Sequence, residues 1–292
     1  MRRLMRDGRI MHASTVLKGF LSVAFLATLL PASAGAVDAK QVIAWCINDN
    51  DAFSADLQIK GCSTIINSGG HDRGLLSADH VGRGLGYLKR KDFDRAIADY
   101  SEAIRLNPKR GDTYAKRGEA YGEKRNYDRA IADYNVAVRL DPNDVMAYMG
   151  RASVYDKKRQ YKDAIEDYSR VSRMAPNAAS AYFVCDDRIM LGQLQQAISD
   201  CNEALRLEPK FPLAHEARGI AYLKNGALDR AIADFDAATN LQTGMSGSFY
   251  GRGIAKLRKG DTAGGKADIA AAKRIRPDIA EEFARYGVTV PR

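Results

Sequence analysis

Histidine and tryptophan are scarce in this chain of 292 residues, at four and one. His71, His80 and His215 are the histidines beyond residue 34, and they show no His-x-x-x-His or Cys-x-x-His spacing, so no metal site is expected. Four cysteines form no Cys-x-x-Cys, which excludes the usual thiol–disulfide oxidoreductase motif. Charge of one sign is also lacking. The formal net charge is +9, but Arg2, Arg3, Arg6, Arg9 and Lys18 stand against only Asp7 at the N-terminus, and the remaining charges interleave. That is not the basic footprint of a nucleic-acid binder. Beyond residue 30 no apolar run approaches the roughly 20 residues of a membrane span. Intrinsic disorder is excluded in turn by an apolar share of 46%.

The N-terminal segment is basic through Lys18, apolar from Leu21 to Leu30, and then runs through Pro31 into small residues as far as Ala36. This layout is that of a secretory signal peptide over residues 1–34, cleaved after Ala34 or Ala36, with Met5 or Met11 as alternative starts. The alternative is an uncleaved anchor, for which the apolar run is only about half long enough. A periplasmic or secreted, oxidising location follows. There, Cys46 with Cys62 and Cys185 with Cys201 share a spacing of 16.

One phrase recurs: DFDRAIADYSEAIRLNP, NYDRAIADYNVAVRLDP, QYKDAIEDYSRVSRMAP, QLQQAISDCNEALRLEP and ALDRAIADFDAATNLQT, with a fainter sixth copy ending at Pro277. Its first alanines, Ala96, Ala130, Ala164, Ala197 and Ala231, step by 34, 34, 33 and 34, and Gly265 adds another 34. Upstream of the phrase lies a second helical pattern of small and aromatic residues, as in Tyr114, Gly118 and Tyr121. A helix-turn-helix unit fits this period, and proline ends most copies.

The pattern Gly118, Tyr121, Ala130, Tyr134, Ala137, Pro142 resembles the tetratricopeptide repeat. The resemblance implies an all-α fold, an α-solenoid of antiparallel helix pairs wound as a right-handed superhelix. Six tandem repeats are expected over 77–277, a degenerate helical hairpin over 39–70, and a capping helix and tail over 278–292 that covers the last repeat. Laid over the repeat, each cysteine pair falls at the small and aromatic positions of one hairpin. Of three connectivities, Cys46–Cys62 and Cys185–Cys201 is therefore expected, each loop contributing about 3 kcal/mol in the chain-entropy model. Four buried thiols are the alternative.

Other motifs reduce to structure. Gly82 to Gly86 lies in a predicted helix with no strand before it and is read as helix-crossing packing rather than a dinucleotide loop. Gly244 to Gly247 is read as a flexible connector between the fifth and sixth repeats. Asn48 to Asp51 lacks the glycine and distal glutamate of a calcium loop and is read as a polar turn. Arg83 with Asp99, Arg117 with Asp133, Arg151 with Asp167, Arg218 with Asp234 and Arg252 with Asp268 each bridge one repeat, as structural ion pairs or as a polar recognition ladder.

By repeat position the resemblance implies a concave partner-binding face lined by Val81, Leu85, Leu88, Glu119, Met146, Met149, Ser153, Ile220, Leu223, Tyr250 and Ile254. The lysine and asparagine set with which some family members hold acidic C-terminal tails is replaced here by Val81, Leu85, Lys116, Met146 and Gly150. The expected function is a non-catalytic scaffold of the cell envelope holding a protein partner, with no cofactor and no nucleic acid, and with self-association open. The alternative is a small-molecule or polysaccharide-binding accessory protein, or the non-catalytic subunit of an enzyme complex.

Overall fold

The computed structural model describes residues 38–291, and the signal peptide expected over 1–34 lies outside the described residues. Every regular element among the described residues is helical. The chain divides after Asn107 into two compact units. The first holds α1 (Ala39–Ile47), a short 3-10 turn, α2 (Ala55–Ser68), α3 (Arg73–Lys89) and α4 (Phe93–Leu106). The second holds α5 (Gly111–Glu123), α6 (Tyr127–Leu140), α7 (Val145–Lys157), α8 (Tyr161–Met174), α9 (Ala178–Met190), α10 (Leu194–Leu207), α11 (Pro212–Lys224), α12 (Leu228–Leu241), α13 (Ser246–Arg258), α14 (Thr262–Ile275) and α15 (Ile279–Arg285). From α3 to α14 the helices form antiparallel pairs, stacked within each unit as a solenoid.

The recurring phrase builds the second helix of each pair. Asp92 and Asn126 cap α4 and α6 by accepting from the backbone N–H of Arg95 and Arg129. The phrase's first alanine is fully buried in every copy from Ala96 to Ala231. Each tight turn between paired helices needs one residue in the left-handed region. Gly192, Gly226 and Gly260 supply it in the later pairs, but Lys91, Arg125 and Arg159 hold φ of 62°, 61° and 59°. Arg125→Gly and Arg159→Gly are each expected to raise stability by about 0.5–1 kcal/mol in a denaturant titration. A loss of stability in both would show that their side chains matter more than the backbone.

The core repeats with a spacing of 16. Tyr134 sits between Gly118 of its own pair and Gly150 of the next, where an added Cβ would come within 2.5 Å of the ring. Phe235 lies the same way between Gly219 and Gly251. These glycines let the second-helix ring fill the space between two first helices, so each aromatic joins one pair to the next. Cystines replace this packing twice: Cys46–Cys62 joins α1 to α2, and Cys185–Cys201 joins α9 to α10, with Cα atoms 4.5 and 5.4 Å apart. All four cysteines are buried.

The connector at Gly244 to Gly247 is not loose. Met245, Ser246 and Ser248 are buried, and the Ser248 hydroxyl donates to Glu216 at 2.6 Å. Small residues here admit a buried carboxylate rather than a hinge. At the 3-10 turn the Asn48 side chain donates to the Phe53 carbonyl at 3.0 Å and accepts from its N–H at 2.7 Å, closing the loop.

Candidate functional site

The five arginine–aspartate pairs fix the first helices onto the second. Arg151 is bidentate to Asp167, Nε and Nη2 donating at 2.8 and 2.7 Å, and Arg117, Arg218 and Arg252 repeat the geometry on Asp133, Asp234 and Asp268. In the first unit Arg83 does the same to Asp99. The remaining Nη1 of Arg151, Arg218 and Arg252 reaches back to the preceding pair, to Asn135, Asn202 and Asp236. These guanidinium groups are spent within the stack and join consecutive repeats, leaving little for recognition. The fourth pair has Val184 in place of arginine, and Asp200 accepts from Arg188 at 2.5 Å instead.

Ion pairing opposes burial at these carboxylates. Burial raises and arginine bonding lowers the pKa, leaving Asp99, Asp234 and Asp268 below the usual carboxylate range. For Asp167 burial prevails and its carboxyl is pushed up. Asp99 and Asp234 also bond His80 and His215.

With the second helices occupied in this way, the candidate surface lies on the first helices. On α7 the spacing of Met146, Met149, Ser153 and Asp156 puts them on one face. Met146 is 62% exposed, Met149 and Ser153 are half-buried, and Glu119 on α5 is exposed. In the first unit Val81 is buried and Leu85 and Leu88 are half-buried, so Val81 is packing rather than free lining. Gly82 on the same helix packs close to Cys62 and Gly86 close to Ile59.

Ile220, Leu223, Tyr250 and Ile254 are at most 3% exposed. This corrects the expectation that they form an open lining. The last helix packs into the same core. α15 folds back across the first helices, and Ile279, Phe283 and Val288 join one apolar core with Ile189, Ile220, Leu223, Tyr250 and Ile254. The Phe283 ring meets that of Tyr250 edge-on, centroids 4.9 Å apart. The Tyr286 hydroxyl donates to Asp186 on α9 at 2.9 Å, 100 residues back in sequence. The last helix therefore reaches well beyond the final repeat.

Beneath it lie acidic groups that the repeat pattern does not announce. Burial pushes the Asp186 carboxyl up to about 6 and Glu216 up to about 7, and the nearby Glu282 carboxylate adds to both. Asp187 lies against Asp156, and burial with like charge holds the Asp187 carboxyl far above its ordinary value. The Tyr168 hydroxyl donates to Asp156 at 2.9 Å. Counting one repeat on from Met149 and Ser153 reaches Tyr182 and Asp186, so the period itself would have found part of this set. Among the described residues no cluster of His, Cys, Asp or Glu stands where it could hold a metal ion, and no helix is long and apolar enough to cross a membrane.

Tetratricopeptide-repeat family models match residues 81–145, 147–178 and 188–226. No functionally curated protein matches the chain by sequence. Among solved structures, YrrB, described as a TPR protein with an unusual peptide-binding site, is 25% identical over 64% of this chain and 97% of its own, with a TM-score of 0.52. MamA from Desulfovibrio magneticus RS-1 is 23% identical over 59% and 96%, with a TM-score of 0.55. A tetratricopeptide repeat protein from Parabacteroides merdae ATCC 43184 is 17% identical over 86% and 99%, with a TM-score of 0.63. At those identities the last two show the fold alone.

Proposed function

The chain is a tetratricopeptide-repeat protein, and from that premise we propose that it is a non-catalytic scaffold of the cell envelope that holds a peptide or helix of a protein partner on its first-helix face. The observation that carries this reading is the uncovered apolar surface on α7, where Met146 stands 62% exposed beside Met149 and Ser153. Flexible, polarisable methionines suit an apolar helical ligand. The peptide-binding site named for YrrB supports the same use of this fold. Location outside the cytoplasm rests on the basic, apolar and small-residue order of the first 36 residues and on two cystines that an oxidising compartment maintains.

Photocrosslinking in the producing cell from position 149, against position 166 on the exposed side of α8, tests the scaffold reading. A protein captured from 149 and not from 166 is expected. Equal capture, or capture of nothing from 149, would overturn it. Mass measurement of the mature protein is expected to place its first residue at Gly35 or Val37, whereas an intact N-terminus would remove the secretory part of the proposal.

A further inference from the structure

α15 has seven residues, far fewer than a helix needs to persist alone in water, so its order depends on the groove that receives it. The seat suits its apolar side chains. Ile279 and Phe283 are fully buried and Val288 nearly so. The same seat is poor for its charge. Glu282, one turn before the Tyr286 that bonds Asp186, adds like charge to the carboxyls of Asp186 and Glu216. The groups facing this cluster are Asp156 from α7, Tyr182, Asp186 and Asp187 from α9, Glu216 from α11, Ser248 from α13, Arg276 from the turn before α15, and Glu282 and Tyr286 from the last segment. The cations in this set are Arg276, which pairs with Glu282 at 2.8 Å and also acts on Glu216, and Arg285, which lies 3.9 Å from Glu282; the carboxyls of Asp156, Asp186, Asp187, Glu216 and Glu282 outnumber them.

A groove with an apolar rim and a carboxyl floor is thus filled by a helix whose shape fits and whose charge has the wrong sign. Taking from the scaffold reading only that this face receives a protein segment, we infer that α15 is a tethered stand-in for a partner helix that repeats the spacing of Ile279, Phe283 and Tyr286, carries Lys or Arg at the register of Glu282, and binds by displacing α15. The cation would face Asp186 and Glu216, converting like-charge repulsion into ion pairing in a partly dry site. The pKa of each of those two carboxyls is raised, so the native tail sits best below their titration and is loosened as pH rises through about 6 to 7. Over the same range a cationic helix gains.

The test is fluorescence anisotropy with two labelled peptides spanning Arg276–Pro291, one native and one carrying Glu282→Lys, titrated with the full chain and with its Phe283→Ala variant. The lysine peptide is expected to bind at least about tenfold more tightly than the native one near pH 8, with the ratio shrinking near pH 5. Phe283→Ala, by loosening the tethered helix, is expected to tighten binding of both. If that variant fails to fold, Tyr286→Phe, which removes one hydroxyl from the seat, takes its place. Equal binding of the two peptides, or binding of neither to the loosened chain, overturns the inference. The crosslinking from position 149 reads the scaffold proposal separately, because Met149 packs in the core of Ala152, Tyr168 and Val184 and not in the one that holds Ile279 and Phe283.

Discussion

Arg151→Ala is expected to lower the stability of the second unit by about 3–5 kcal/mol near neutral pH. The size follows from what is left behind. The Asp167 side chain is 5% exposed, and both its oxygens accept from Arg151. Removing the cation strands a buried carboxylate and also cuts the link from Arg151 to Asn135 on the preceding pair. Burial already outweighs the ion pair at Asp167, so without Arg151 its carboxyl rises further. A carboxyl raised in the folded state costs stability above the unfolded value, near 4, and costs progressively less as pH falls to that value. The loss should therefore shrink in acid. Adding Asp167→Asn to Arg151→Ala should recover part of it at neutral pH, since a neutral amide is cheaper to bury. A loss below about 1 kcal/mol, independent of pH, would mean that the pair is solvated and contributes as a surface ion pair does.

Replacing Cys185 and Cys201 together by alanine is expected to cost about 3 kcal/mol through the loop they close. Packing adds to this, because both residues are fully buried at the site where other pairs place a glycine against an aromatic ring. The fourth pair also lacks the arginine that ties its neighbours, Val184 standing in its place. With neither ring nor arginine, α9 and α10 depend on the cystine more than any other pair in the second unit. Thermal unfolding with and without reductant checks this. Reductant should lower the midpoint of the natural protein more than that of the double variant, where only Cys46–Cys62 remains. Equal shifts would place the whole effect in the first unit.

The helix pairs were legible because their cause is local and repeated. The 34-residue period, with the same small, aromatic and alanine positions in successive copies, specifies a pair wherever it occurs, and Arg151 with Asp167 could be matched because the same offset recurs five times. The last helix was only half legible. Its amphipathic pattern, ended by Gly287, reads as one further helix capping the last pair. What places Tyr286 beside Asp186 is a set of contacts made across three repeats, between residues 100 apart, and no local period encodes such a distance. The same fact explains why Ile220, Leu223, Tyr250 and Ile254 were expected to be open. Their repeat positions point to a groove, and only the returning chain decides whether that groove is filled.

Whether the groove of the second unit is filled depends on that returning chain. The most direct measurement places the photoreactive phenylalanine analogue p-benzoylphenylalanine at position 286 of the purified full chain and maps the intrachain crosslink by mass spectrometry. Crosslinks into α9, within Ala178–Met190, are predicted. Crosslinks confined to α13 and α14 would contradict the account, because α15 would then cap the last repeat and leave the groove of the second unit open along its length.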